Sequence, residues 1–526
     1  MRMLRATLFA SGLLCLPFAG GAQSPQPTLV VLITVDQMRG DYLERFGADF
    51  TGGFARLVRE GAVFTDARQD HGLPGTAAGH AVIGSGRHPR STGILRNVES
   101  VPDDSAPLLE VAGAGASPRG FVGTTLFDWL KSRWSGSRAL SVSLKDRGAI
   151  LPIGHSRQQV YWYAGGQFTT SRWYADTLPT WVRAFNRRLP AARRTGRAWT
   201  LLRPRATYPE QDSMAYENYG DFAFPHRIPA DSVAAVGALR MVPWADSVTL
   251  ALALEGMSRL RLGRGPDVDL LAISLSATDY IGHRYGPNSL EIHDQMLWLD
   301  RYLGAFLEAL GRQVAPARTL VVLTADHGVS AYPEWAREHG DPGAAYINGE
   351  VDSVLGNALG RLVRTLGPGR WIQYREYGLV VFDRDGLQAR GVDPDSLAEV
   401  IAAELRPVDG LVRVDTRRSL RAADSTTSDG VRRWQHHLAP TSPGDIMFTP
   451  APNRMPSRPG EARHGYATDA DTWIALVMAG PGIRPGRYQA RANSVDIAPT
   501  LAHLLGVQPL ERVDGRVLAE ALEGRQ

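Results

Sequence analysis

Four apolar runs of strand length recur along the chain: TLVVLITVD ending at Asp36, VDLLAISLS running on to Asp279, TLVVLTAD ending at Asp326, and TWIALVMAGPG near Trp473. They are continuously apolar rather than alternating, so each predicts a strand covered on both faces, as in a mostly parallel sheet between helical layers. Helical patterns fall between them. In SLEIHDQMLWLDRYLGAFLEAL the residues Ile292, Met296, Leu299, Leu303, Phe306 and Leu310 recur at steps of three and four and form one apolar stripe. A second helix is expected in SVDIAPTLAHLLG, ended by Gly506. The expected fold is therefore α/β, a three-layer sandwich around a mostly parallel central sheet. In such sheets functional groups gather at the carboxyl ends of the strands, where Asp36, Asp279 and Asp326 fall.

With 526 residues and 44% apolar content, the chain can bury one large core. Two tracts interrupt the regular pattern. From about 151 to 260 the sequence is rich in Trp, Tyr, Pro and Arg, and it is expected to cover the sheet edge instead of continuing it. From about 346 to 455 it is less regular, and RAADSTTSDGVRRWQHHLAPTS reads as a surface loop. No internal repeat of fixed period is visible. The first 22 residues combine Arg2 and Arg5, an apolar run from Leu8 to Phe18 and small residues up to Ala22, the pattern of a cleavable secretory signal. Cleavage would remove Cys15, the one cysteine, so the exported protein is expected to have neither disulfide nor thiol nucleophile. It would also leave 56 basic against 54 acidic residues, a net charge of +2 that gives no electrostatic reason for nucleic-acid binding. No later stretch approaches the length of a membrane span.

Asp36, Asp279 with His283, Asp326 with His327, and His464 are three acids and three imidazoles, a donor set that suits two zinc-like ions. Asp279 and His283 share a face if their segment is helical. Taken singly, each has a plainer reading, an Asp as helix cap or a His as an ordinary hydrogen-bonding residue. The segment DHGLPGTAAGHA presents Thr76. A threonine hydroxyl is a weak nucleophile unless a metal or base activates it. The GLPG turn fits a helix N-terminus, with Thr76 either presented to an anion there or serving as the N-cap of AAGHAVI.

In order along the chain come Asp36, Thr76 and His80 in TAAGHA, GILRN ending at Asn97, LKDRGAI, TDYIGHRYG, TADHG and RHGYATDADTWIALVMAGPGI. This order resembles the alkaline phosphatase superfamily, and within it the phosphate-irrepressible, PafA-like enzymes with a threonine nucleophile, from Thr28 to the C-terminal segment. The resemblance implies a single domain over 28–526 with inserted cap segments and two zinc ions. One zinc would be held by Asp279, His283 and His464, the other by Asp36, Asp326 and His327, with Thr76 as the nucleophile. It implies that Lys145 and Arg147 contact the phosphoryl group, that Asn97 donates to it, that no third metal is present, and that His80 is structural. His71, His88, His436 and His437 match no motif and are expected on the surface or in packing. The implied activity is hydrolysis of small phosphate monoesters by a monomeric periplasmic or secreted enzyme. A nucleotide pyrophosphatase or phosphodiesterase is the alternative, and an inactive phosphoryl-binding protein a further one. A sulfatase is disfavoured because no C-x-P-S-R or S-x-P-S-R segment occurs.

Overall fold

The computed structural model describes residues 26–189, 196–217, 223–460 and 462–523, so the expected signal and Cys15 lie outside the described residues. A nine-stranded sheet organises the chain. Leu29–Val35 lies at its centre, parallel to Asp269–Leu275 on one side and to Thr319–Thr324 on the other. Ala139–Ser143 and Gln159–Ala164 extend the parallel set. The TWIALVMAGPG run divides: Leu476–Ala479 joins the main sheet antiparallel to Thr319–Thr324, while Trp473–Ile474 pairs with Ala67–Arg68 in a small separate sheet.

The three expected central strands are buried at every position, which accounts for their unbroken apolar sequence. The helix Leu290–Gln313 has Ser289 as N-cap and buries all six residues of the expected stripe. It packs with Gly53–Glu60 and Trp244–Leu260, whereas Thr76–Ser85, Asp146–Ile150 and Ile497–Leu505 pack together as a second helical group. Among the described residues no helix is long and apolar enough to cross a membrane.

Both irregular tracts are more ordered than their composition suggests. The first begins by continuing the sheet: Gln159–Ala164 turns through Gly165 and Gly166, at φ 56° and 87°, into the antiparallel strand Gln167–Thr169. Two consecutive left-handed residues are what a tight hairpin needs, and the aromatic run YWY is favourable in a strand. Farther on, the same tract forms Trp244–Leu260, which packs on Ala139–Ser143 and Asp269–Leu275. The second tract folds into a four-stranded sheet in the order Ile372–Glu376, Leu379–Phe382, Ile446–Pro450, Leu411–Thr416, with the helices Asn348–Leu366 and Pro394–Leu405 and a hydrophobic cluster of its own. Its expected surface loop contains the helix Asp429–His437, anchored by the buried Val431 and Trp434.

Candidate active site

The carboxyl ends of the three central strands deliver the acids. Asp36 directly follows Leu29–Val35, Asp326 and His327 follow Thr319–Thr324, and the strand Asp269–Leu275 leads into Ala277–Tyr285, which carries Asp279 and His283. Helical spacing brings His283 Nε2 to 3.3 Å from Asp279 Oδ1. His464 arrives from a distant loop, its Nε2 3.6 Å from the same oxygen. The side chains assemble into two sets, Asp279 with His283 and His464, and Asp36 with Asp326 and His327, each with its ligand atoms within 4.8 Å of one another.

Backbone carbonyls orient the imidazoles. Nδ1 of His283 lies 2.7 Å from Ala462 O, Nδ1 of His464 3.0 Å from Pro74 O, and Nδ1 of His327 3.1 Å from Gly328 O. A carbonyl only accepts, so each Nδ1 is the protonated nitrogen and each Nε2 faces the acids. His327 Nε2 and Asp36 Oδ1, 3.3 Å apart, are both buried without a well-formed hydrogen bond. Two acceptors face to face require a cation between them. Burial pulls the pKa of His327 down, but Asp326 and Asp36 push it up to about 9, so without metal a proton fills that gap, and a bound cation would displace it.

One ammonium contacts two of the three buried carboxylates. Lys145 Nζ lies 2.6 Å from Asp36 Oδ2 and 2.5 Å from Asp279 Oδ2. Burial raises the pKa of Asp279, yet Lys145 and His283 hold it well below the ordinary range; Asp36 is raised by burial and by Asp279 and Asp326. The pocket is short of positive charge, and its mixed carboxylate and imidazole donors fit divalent ions of the zinc type.

Thr76 is buried at the first position of the helix Thr76–Ser85, with Gly75 as N-cap, so its hydroxyl is not the cap that one reading of the sequence allowed. Its Oγ1 lies 3.4 Å from Lys145 Nζ. Asn97 Oδ1 accepts from Ala77 N at 2.8 Å, which leaves the amide Nδ2 as a donor at the same helix terminus. Among the described residues Arg147 is not bonded to Thr76, Asn97 or the acids; it is the second residue of the helix Asp146–Ile150, whose N-cap is Lys145, and its guanidinium contacts Asp146 at 3.4 Å. His80 is a positioning residue, with Nδ1 2.8 Å from Thr76 O and 3.2 Å from Asp326 Oδ2, and Nε2 2.9 Å from Ser274 Oγ. His71 and His437, and likewise His88 and His436, stack in pairs outside both ligand sets. They are packing residues, and all but His436 are buried.

Gln37 escaped the sequence reading. It adopts φ 65°, its backbone N–H donates to Asp326 Oδ1 at 3.1 Å, and its Nε2 donates to Asp279 Oδ1 at 3.0 Å, tying the two sets together. Gly79 was a legible signal, because a glycine inside a helix is unfavourable without a reason. A Cβ there would lie 2.2 Å from the carbonyl oxygen of Asp326. Gly79→Ala is therefore expected to cost about 1–3 kcal/mol by overpacking and to lower metal affinity by displacing Asp326, read by thermal denaturation and metal content. Full zinc occupancy at unchanged stability would contradict this.

A family model for type I phosphodiesterase / nucleotide pyrophosphatase matches residues 30–441. The alkaline phosphatase PhoV of Synechococcus elongatus is 30% identical over 95% of this chain and 93% of its own. The alkaline phosphatase PafA of Elizabethkingia meningoseptica is 29% identical over 99% of each. The crystal structure of wild-type PafA superposes with a TM-score of 0.88 at 28% identity, covering 95% of this chain and 100% of that one. In a PafA variant of known structure, 27% identical, a threonine is replaced by serine, and an asparagine, a lysine and an arginine by alanine. The threonine and asparagine there, and the lysine and arginine, are spaced as Thr76 and Asn97, and Lys145 and Arg147, are here. The chain belongs to the type I phosphodiesterase / nucleotide pyrophosphatase family, among its alkaline phosphatases.

Proposed function

We propose that the protein is an exported, zinc-dependent phosphate monoester hydrolase that works through a phosphothreonine at Thr76. The observation that carries this reading is a buried hydroxyl, unused in capping, 3.4 Å from Lys145, whose ammonium reaches an acid of each three-ligand set. Asp279, His283 and His464 would hold one zinc ion, and Asp36, Asp326 and His327 the other. When bound, such ions supply Lewis acidity that favours a deprotonated hydroxyl or water and neutralises charge on the leaving oxygen. Thr76 Oγ forms the new bond to phosphorus in line with the departing alkoxide. Water then attacks phosphorus, the Thr76 Oγ–P bond breaks, and inorganic phosphate leaves as the threonine hydroxyl regains its proton. Lys145, Arg147 and the Asn97 amide hold the nonbridging oxygens, where a monoester dianion presents more charge than a diester.

A diesterase reading is favoured by the name of the matching family model and opposed by Lys145 and Arg147, which suit a dianion. The polypeptide is read as one domain over 28–526 with insertions at about 151–260 and 346–455, acting as a monomer on small organic phosphates in the periplasm or outside the cell.

The test compares kcat/KM for a phosphate monoester, a diester and a sulfate ester, with zinc-loaded and chelator-stripped protein. The monoester is expected to lead, with turnover lost on stripping and restored by zinc. A diester preference would replace this reading with the diesterase one. Turnover that survives complete removal of metal would remove the zinc requirement.

A further inference from the structure

The segment carrying Asn97 is held from outside the main sheet. Arg96, its neighbour, is buried, and its guanidinium meets Glu376 Oε2 at 2.7 Å, the carboxylate of Glu99, and the ring of Tyr374 at 3.9 Å from Cζ to centroid. Glu376 and Tyr374 belong to Ile372–Glu376, the first strand of a hairpin in the inserted four-stranded subdomain. At its tip Tyr377, at φ 48°, lays its ring on Gly465, next to His464; a Cβ on Gly465 would fall 2.8 Å from ring atoms. One hairpin therefore touches the site twice, through the neighbour of Asn97 and through the neighbour of His464.

The loop around Asn97 borders solvent, where Val98 is 66% exposed and Glu99 65%. A guanidinium gripped by a carboxylate and stacked on an aromatic ring is a rigid anchor. Among the described residues the Asn97 side chain accepts one hydrogen bond, from Ala77 N, and its backbone carbonyl accepts from Ser100 Oγ at 2.8 Å. The orientation of its free amide thus depends on where the backbone is held, by Ser100 from within the loop and by Arg96 from the neighbouring hairpin.

We propose that the Arg96–Glu376 clasp positions Asn97, so that the inserted subdomain is part of the catalytic apparatus and Arg96, Glu376 and Tyr374 are positioning residues. The inference rests on the reading above that Asn97 donates to the phosphoryl group.

The test is a double-mutant cycle. Glu376→Gln keeps the shape and removes the charge, and it is expected to lower kcat/KM for a monoester about tenfold in the otherwise unaltered protein, as loss of a hydrogen bond to a charged group would. In an Asn97→Ala background it should cost less than twofold. Tyr374→Leu, which removes only the stacked ring, should give a smaller fall that Asn97→Ala also silences. Hydrogen exchange at the Ala77 amide, which needs no substrate, should accelerate in Glu376→Gln. Equal falls in both backgrounds, or unchanged Ala77 exchange, overturn the clasp. If the wild-type protein hydrolyses no monoester, the functional reading fails by itself, and Ala77 exchange still decides whether Glu376 holds Asn97.

Discussion

Replacing Thr76 by alanine is expected to lower kcat/KM for a phosphate monoester by at least about a thousandfold, because covalent catalysis loses its nucleophile while binding groups remain. The fold should tolerate the change. Thr76 contributes no side-chain cap to its helix, and Gly75 already makes the turn into it. Thr76→Ser, which keeps a hydroxyl, should retain a measurable share of activity and still trap a phosphoryl adduct on position 76, read by mass spectrometry of the quenched enzyme. Near wild-type turnover in the alanine variant would mean that water attacks directly, and the phosphothreonine would be withdrawn.

The second large effect belongs to Lys145. The Lys145→Ala, Arg147→Ala double variant is expected to lose monoesterase activity by roughly a hundredfold or more, the scale of removing donors aimed at transition-state charge, while keeping much of any diesterase activity. Equal loss of both would count against the assigned role. Lys145→Ala alone has a further expected effect. The ammonium is the shared partner of Asp36 and Asp279, and without it two buried carboxylates lose their compensation. Breaking a buried pair in this way costs about 3–5 kcal/mol. The metal-free variant should therefore melt well below the metal-free parent, and zinc should restore most of the difference. Equal melting temperatures without metal would show that water reaches and screens these acids.

The site was legible to the extent that its chemistry sits at strand ends. Asp36, Asp279 and Asp326 each close a strand or open the following helix, so a reading of apolar runs finds the place and the residue type together. His283 follows from Asp279 by helical spacing. His464 and Asn97 come from loops whose local sequence carries no geometric information, and motif resemblance pointed to them. Gln37 was invisible because its contribution depends on a left-handed backbone at a non-glycine residue. The four-stranded sheet of the second tract went unread for a related reason. Its strand Ile372–Glu376 is only five residues long with mostly intermediate exposure, and its core forms only when segments far apart in sequence meet. The Arg96–Glu376 contact spans that same kind of distance, beyond the reach of any local pattern.

The position of Leu29–Val35 at the middle of the sheet has a consequence for biosynthesis. This strand is the first of the sheet to be made, yet its hydrogen-bonding partners begin at Asp269 and Thr319. Until those segments exist, LVVLITV is a short, uncharged, β-branched stretch with both edges open, the composition of an aggregation-prone segment. The growing chain therefore carries this strand unpaired until Asp269 and the residues after it have been made, and factors that mask it in that interval should raise the yield.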